Sequence, residues 1–255
     1  MSKRGRYAQI YLLLAALFWS SSSVGETLRV ATEGAYPPFS YFDSTGQLAG
    51  FDVDIARALC QALERTCDIK AVAWTDLLDE LQAGKLDMVV ASMAKTRERE
   101  AQVDFTDYYY QSHSIFAGRP EVTDTTPTAL MGKSLATARA TIQADFLNKH
   151  YTLSRVILTD NMPQALQMLL EGKVDFVLSD TTNLLDFLER PQAMAAGMDF
   201  VGDPVKSPEL QSKAHIAVKK GDQVLREEIN RALEQLRLNG TYDQINRKYF
   251  PFSIY

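Results

Sequence analysis

Apolar and polar positions repeat themselves along this chain. Residues 77–92 read LLDELQAGKLDMVVAS and residues 165–180 read ALQMLLEGKVDFVLSD, with Gly84/Gly172, Lys85/Lys173 and Asp87/Asp175 in step. In each copy apolar residues at helical spacing stop at a Gly-Lys pair, and a short apolar run holding a single Asp follows. That is the pattern of helix, turn and buried strand. Helix followed by buried strand is the unit of a parallel sheet, and such sheets carry ligand-contacting residues in the loops beyond the carboxyl ends of their strands. Here those ends hold Ser92 and Asp180. Two copies separated by most of a domain predict two similar α/β lobes facing each other across a cleft. The alternative is that helix–Gly–Lys–strand is a common α/β phrase, repeated by chance.

The rest of the pattern fills in the two lobes. A short strand at residues 28–32 is broken by Glu33-Gly34-Ala35-Tyr36-Pro37-Pro38, whose prolines forbid a helix or a central strand. Residues 39–42 and 48–51 flank the turn Asp43-Ser44-Thr45-Gly46 as a small hairpin. Asp52 opens a helix with Phe51, Ile55 and Leu59 on one face, and a strand runs over residues 68–73. Thr75 then caps the first repeated helix. Tyr108 to Tyr110 with Ile115 to Ala117 read as a strand leaving the first lobe, and Ile216 to Val218 bring the chain back. A final long helix over residues 222–238 carries Leu225, Ile229, Leu233 and Leu236 and stops at Asn239-Gly240. The predicted lobes are residues 26–111 with 209–255, and residues 112–208. Two crossings between them make a two-strand hinge.

Met1-Ser2-Lys3-Arg4-Gly5-Arg6, an apolar run over residues 10–19 and small residues over 20–25 have the layout of a secretory signal peptide spanning residues 1–25. The apolar run is far shorter than the roughly 20 residues of a membrane-spanning helix. Residues 1–25 hold Lys3, Arg4 and Arg6 and no acid, so their removal takes the formal charge from −5 to −8. That disfavours nucleic acid or an anionic membrane as partner. The mature chain of about 230 residues suffices for two lobes of ordinary size. Export favours an oxidised Cys60–Cys67 pair over free thiols, closing a loop short enough to stabilise by about 2–3 kcal/mol. Neither cysteine has zinc-type spacing to other ligands, so no metal is expected.

Taken in order, several pieces resemble one family. They are Glu33-Gly34-Ala35-Tyr36-Pro37-Pro38-Phe39, Gly50-Phe51-Asp52-Val53-Asp54, the Cys60 and Cys67 pair, Thr96-Arg97-Glu98-Arg99 with Asp104-Phe105-Thr106, and Asn239-Gly240-Thr241-Tyr242. Their order and spacing are similar to those of the periplasmic solute-binding proteins of polar amino-acid ABC importers, within the group that binds lysine, arginine, ornithine and histidine. The resemblance implies an α/β, two-lobed periplasmic binding protein fold (type II) with its ligand cleft between the lobes. It implies a soluble periplasmic monomer, without cofactor, that captures a polar, cationic amino acid and delivers it to the membrane subunits of an ABC permease. By the same resemblance Arg99 clasps the ligand α-carboxylate, since a guanidinium presents two parallel donors to two oxygens. Asp180 receives the α-ammonium from the other lobe. The backbone N–H groups of Ala94 and Ile142 complete the carboxylate site, Tyr36 and Trp74 stack on the ligand side chain, Glu33 and Ala91 lie at its distal end, and Ser92 and Thr141 belong to the same binding site.

Each residue also has a plainer reading: Arg99 as a solvated arginine in a charge run, Asp180 as a helix N-cap, Tyr36 and Trp74 as core. The chain departs from the family pattern at Ala91 and Ala94, where hydroxyl residues are usual, and at Ala140, where glycine is frequent. Arg139 adds a positive charge beside the cleft that the pattern leaves unassigned. An enzyme on the same scaffold, similar to the periplasmic cyclohexadienyl dehydratases, is the competing class, with Glu33 as a general base; a ligand-sensing binding protein is a third. Against catalysis, His113, His150 and His215 form no recognisable site, and Gly132-Lys133-Ser134 lacks the first glycine of a phosphate loop because Pro127 stands there.

Overall fold

A computed structural model describes residues 27–210 and 213–255, so the expected signal peptide at residues 1–25 lies outside the described residues. The first part of the chain runs β1 (Leu28–Thr32), β2 (Ala35–Tyr36), β3 (Ser40–Phe42), β4 (Leu48–Ala49), α1 (Phe51–Ala62), β5 (Cys67–Ala71), a 3-10 turn (Trp74–Asp76), α2 (Leu77–Gln82), β6 (Met88–Ala94), α3 (Arg97–Gln102) and β7 (Val103–Gln111). The middle part runs β8 (Ser114–Gly118), β9 (Ser134–Ala138), α4 (Ile142–His150), β10 (Arg155–Thr159), α5 (Met162–Leu170), β11 (Phe176–Asp180), α6 (Thr181–Leu188), α7 (Pro191–Ala195) and β12 (Asp199–Val201). Last come β13 (Lys213–Lys219), α8 (Gln223–Leu238) and α9 (Thr241–Tyr249).

Two five-stranded sheets result, ordered β5-β1-β6-β13-β7 and β10-β9-β11-β8-β12. In each, a strand (β1 or β9) is flanked by two parallel partners, and an antiparallel strand adds beside the third: β13, from the end of the chain, in the first sheet and β8 in the second. The order therefore reverses at β1 and at β9. Such reversal points leave a crevice at the strand carboxyl ends: Glu33 and residues 139–141 follow β1 and β9, while Ser92 and Asp180 lie within the last residues of β6 and β11, β6 running two residues beyond the expected end at Ser92.

The repeated stretch is one structural unit used twice. Gly84 and Gly172 hold φ of 69° and 68°, the left-handed conformation that ends a helix cheaply only at glycine. Each copy then closes with the equivalent bond, Lys85 N to Glu80 O at 3.0 Å and Lys173 N to Met168 O at 2.9 Å. The aspartates explain the third matched position. Asp87 accepts from the Arg29 backbone N–H at 2.8 Å and Asp175 from that of Ser134 at 2.7 Å, so each carboxylate pins the start of its lobe's central strand.

The core lies on both faces of each sheet. The α8 stripe of Leu225, Ile229, Leu233 and Leu236 packs with Phe39, Phe51, Leu59 and Tyr110 into one cluster, each such side chain contributing about 1.5–3 kcal/mol by leaving water. Cys60 and Cys67 form a disulfide that ties the end of α1 to the start of β5. Three local expectations change. Thr75 lies inside the 3-10 turn rather than capping α2, which starts at Leu77 behind Asp76 without a side-chain cap. The helix after the hairpin begins at Phe51, one residue early. The strand expected to leave the first lobe is two, β7 and β8, which belong to different sheets.

Candidate functional site

All ten residues singled out in the sequence, Glu33, Tyr36, Trp74, Ala91, Ser92, Ala94, Arg99, Thr141, Ile142 and Asp180, line one cavity between the two sheets. Tyr110, Ala138, Gln143, Met162, Ser179, Lys213 and Ala214 complete its wall.

Arg99 is not a solvated arginine. It sits in the short α3, whose N-cap Thr96 accepts from the Arg99 backbone N–H. Its guanidinium donates to the Ala94 carbonyl at 2.7 Å and, across the cleft, to the Ala140 carbonyl at 2.9 Å. The Trp74 ring lies under it at 5.2 Å, a cation–π geometry. Two of its five N–H donors are thus spent on carbonyls and three remain for a ligand. Burial lowers its pKa to about 10, opposed by the charges of Asp145 and Glu98, and it stays cationic at neutral pH. Ala140 accepts a second bond from Trp74 Nε1 at 3.0 Å and holds a φ of 57°, which an alanine adopts at a cost. Next to it Thr141 caps α4 by accepting from the Ala144 N–H, and the helix opens at Ile142 with its first N–H groups lacking intrahelical partners.

Asp180 stands at the N-cap position of α6, yet its carboxylate makes no capping bond. It accepts instead from the Tyr36 hydroxyl at 2.8 Å and from Gln143 Nε2 at 3.1 Å. Burial pushes its pKa up to about 6, and those two donors hold it below where burial alone would take it. Tyr36 in turn stacks on Phe39 with ring centroids 5.6 Å apart.

At the other end of the cavity Ser92, with a φ of 53°, turns its hydroxyl onto Asp52 Oδ2 at 2.8 Å, while the Tyr109 hydroxyl donates to Asp52 Oδ1 at 2.6 Å. Asp52 is buried, at 1% exposure, and its pKa rises to about 7 through that burial. Glu33 is raised to about 7 as well, first by burial and then by the charge of Asp52. Among the described residues Glu33, Asp52 and Asp180 enter no ion pair. Buried carboxyls without a cation are costly when ionised, so Glu33 and Asp180 on the cavity wall favour cationic groups and Arg99 an anionic one.

Two site-shaping residues escaped the sequence reading. Gln143 carries only the faint signal of following Thr141 and Ile142, and Asp52 looked like an ordinary first-turn acid of α1. Arg139 does not reach the cavity; it pairs with Asp160 at 2.9 Å on the surface. His150 bonds Glu209, His215 bonds the Thr106 carbonyl, and the His113 carbonyl receives Thr181. Among the described residues no cluster of three or more His, Cys, Asp or Glu could hold a metal, and no helix is long and apolar enough to cross a membrane.

The same architecture and sequence recur in known proteins. The L-arginine-binding protein of Pseudomonas aeruginosa is 34% identical over 248 residues, covering 96% of this chain and 95% of its own. A solved ancestral arginine-binding protein bound to arginine is 33% identical with a TM-score of 0.82, covering 89% of this chain and 99% of its own. The ancestral amino-acid-binding protein AncCDT-1, described as a precursor of cyclohexadienyl dehydratase, is 27% identical with a TM-score of 0.78, covering 88% and 95%. Residues 28–252 match the bacterial extracellular solute-binding proteins, family 3, and this two-lobed chain belongs to that family.

Proposed function

We propose that the chain is an exported, monomeric binding protein that closes on an amino acid with a cationic side chain and hands it to the membrane subunits of an ABC permease. The observation that carries this reading is that Arg99, just after a strand of one sheet, and Asp180, at the end of a strand of the other, line one cavity and are held apart from any protein ion pair among the described residues. An α-carboxylate satisfies the three spare donors of Arg99 and an α-ammonium satisfies Asp180. One zwitterion meets both only when the lobes come together, which supplies the differential affinity that closure requires. The two closing bodies are residues 27–111 with 213–255, and residues 112–210: the second runs past the expected boundary at 208, because Glu209 pairs with Lys149 and Leu210 packs with Phe116 and Leu130.

Side-chain preference follows from Glu33, which lines the cavity, with Asp52 buried behind Ser92. A guanidinium or ammonium there neutralises acids that are otherwise raised toward protonation. Ala91 and Ala94 remove two hydroxyls that the family pattern supplies, so selectivity rests more on charge than on side-chain hydrogen bonds. The names carried by relatives point the same way. Thermal unfolding against a panel of free amino acids tests this: a ligand at a hundred times its Kd stabilises by about 2.7 kcal/mol. Arginine, lysine, ornithine or histidine is expected to shift the midpoint. Shifts with acidic or apolar amino acids alone exclude the reading.

A second reading, an enzyme of the dehydratase type, draws on the AncCDT-1 likeness and on Glu33, whose pKa near 7 suits a general base. Prephenate-like acids incubated with the protein distinguish the two: release of carboxylate-derived product favours catalysis, and binding without turnover favours capture.

A further inference from the structure

Behind the wall of the cavity, Asn183 joins the lobes without lining the site. It lies on the first turn of α6, at 1% exposure. Its side-chain oxygen accepts from the Ser179 hydroxyl at 3.1 Å, and its Nδ2 donates to the Pro37 carbonyl at 2.6 Å. A carbonyl can only accept, so the orientation of the amide is fixed by its partner. Ser179 and Asn183 belong to the second lobe and Pro37 to the first. The Pro37 side of the bond is rigid, because neighbouring residues are fastened to their own lobe: Phe39 N to Tyr36 O at 2.9 Å, Phe51 N to Pro38 O at 3.0 Å and Asp52 N to Phe39 O at 2.9 Å. The Asn183 side is rigid through Ser179 at the end of β11. The bond therefore exists only while the lobes are together, and neither Pro37 nor Asn183 lines the cavity, although Asn183 is braced by Ser179 of its wall.

Its position relative to the cleft is instructive. Tyr36 reaches Asp180 and Pro37 receives Asn183, so two consecutive residues of one lobe meet two residues one helical turn apart on the other. The first contact includes a residue that a ligand ammonium would address. The second does not.

We infer that Asn183 is a positioning residue for closure: its amide clasps the Pro37 carbonyl, favours the closed arrangement and sets how long a captured solute is held, without choosing which solute. This rests on reading the protein as a two-lobed binding protein. The apparent affinity of such a protein scales with the fraction of molecules able to adopt the binding-competent state. A clasp that touches no ligand atom changes that fraction equally for every ligand, whereas Glu33 discriminates among them.

The test uses the mature protein with dyes on Ser44→Cys and Glu171→Cys, exposed positions in different lobes, to follow the lobe–lobe distance, and stopped-flow binding of arginine, lysine and histidine. Asn183→Ala removes the clasp, and Asn183→Leu does so while keeping volume, in case the smaller side chain loosens α6. Expected for both are a lower closed fraction, a dissociation rate raised by about 3–10-fold as for loss of one neutral hydrogen bond, an association rate within about twofold, and unchanged affinity ratios among the three amino acids. A closed fraction and dissociation rate equal to wild type in both variants overturn the inference; so does a change in the ratios, which would make Asn183 a selectivity residue. If the unsubstituted protein binds none of the three, the functional reading fails, and the distance measurement alone still decides the clasp.

Discussion

The Tyr36 hydroxyl donates to Asp180 Oδ2 at 2.8 Å from the opposite side of the cleft, so the acid proposed to meet the ligand ammonium is already oriented by the other lobe. With Gln143 on its second oxygen, this carboxylate is aimed rather than merely present. Asp180→Asn keeps an acceptor for Tyr36 and removes the charge. Calorimetric titration is expected to show a loss of about 2–5 kcal/mol for every amino acid that binds the unsubstituted protein. Tyr36→Phe removes the orienting donor alone and should cost about 1 kcal/mol. A loss in Tyr36→Phe as large as in Asp180→Asn would shift the main role to the tyrosine.

Arg99 gives the complementary prediction. Arg99→Ala leaves a ligand carboxylate buried without a partner and also frees the Ala94 and Ala140 carbonyls, so binding should weaken by about 2–5 kcal/mol. Arg99→Lys restores the charge without the planar fork, which cannot serve two carbonyls and a carboxylate together. It should recover only part of the loss. Full recovery in a titration would show that a point charge suffices there.

How much of this was legible from the residues follows from which forces are local. The repeat was readable because the helix-ending glycines and the strand-pinning Asp87 and Asp175 act over a few residues and one neighbouring strand. Thr75 reads as an N-cap because a 3-10 turn and an N-cap draw on the same residue types; in the fold it lies in the turn whose Trp74 packs against Arg99 and Ala140 of distant segments. Gln143 and Asn183 were invisible for a different reason. Each is a polar residue on an otherwise ordinary helix, and its partner lies far away in the chain, 37 residues on for Gln143 and 146 back for Asn183. The ten cavity residues came from a family pattern; periodicity alone supplied only Ser92 and Asp180.

The raised acids make stability and binding depend on pH in opposite senses. Glu33 and Asp52 titrate near 7 and Asp180 near 6 in the folded chain, against ordinary values of 4.5 for Glu and 3.8 for Asp. The folded state therefore holds protons that the unfolded chain has released between about pH 4 and 7, and unfolding stability without ligand falls as pH rises through that window. A cationic ligand needs the ionised forms, so its affinity should rise from pH 5 to pH 8, with protons released on binding near pH 6.5. Titration in buffers of different ionisation enthalpy measures that release directly. Glu33→Gln should reduce it, weaken arginine and lysine binding by tenfold or more, and spare glutamine. Proton uptake on binding would reverse the assignment of the distal acids.

Cys60 and Cys67 bridge the end of α1 to the start of β5, seven residues apart. Replacing both with serine should lower unfolding stability by about 2–3 kcal/mol on the chain-entropy estimate, read from urea titration of the ligand-free protein. The bridge lies away from the cavity lining, so the affinity of the folded variant should stay within about twofold.

Ala140 offers a substitution expected to improve the protein. Its φ of 57° lies in the left-handed region, and its carbonyl accepts from Trp74 Nε1 and from Arg99 in the other lobe. A side-chain Cβ there costs about 1–2 kcal/mol, while glycine carries a larger entropy loss on folding, of about 0.5–1 kcal/mol. The difference favours Ala140→Gly by up to about 1.5 kcal/mol, and each 1 kcal/mol raises Tm by roughly 2–4 °C for a chain of this size. Because the carbonyl keeps both donors, ligand affinity should hold or rise slightly. A fall in Tm with unchanged affinity would mean that the turn tolerates alanine without strain, and a fall in affinity would mean that the Cβ itself packs on the bound solute.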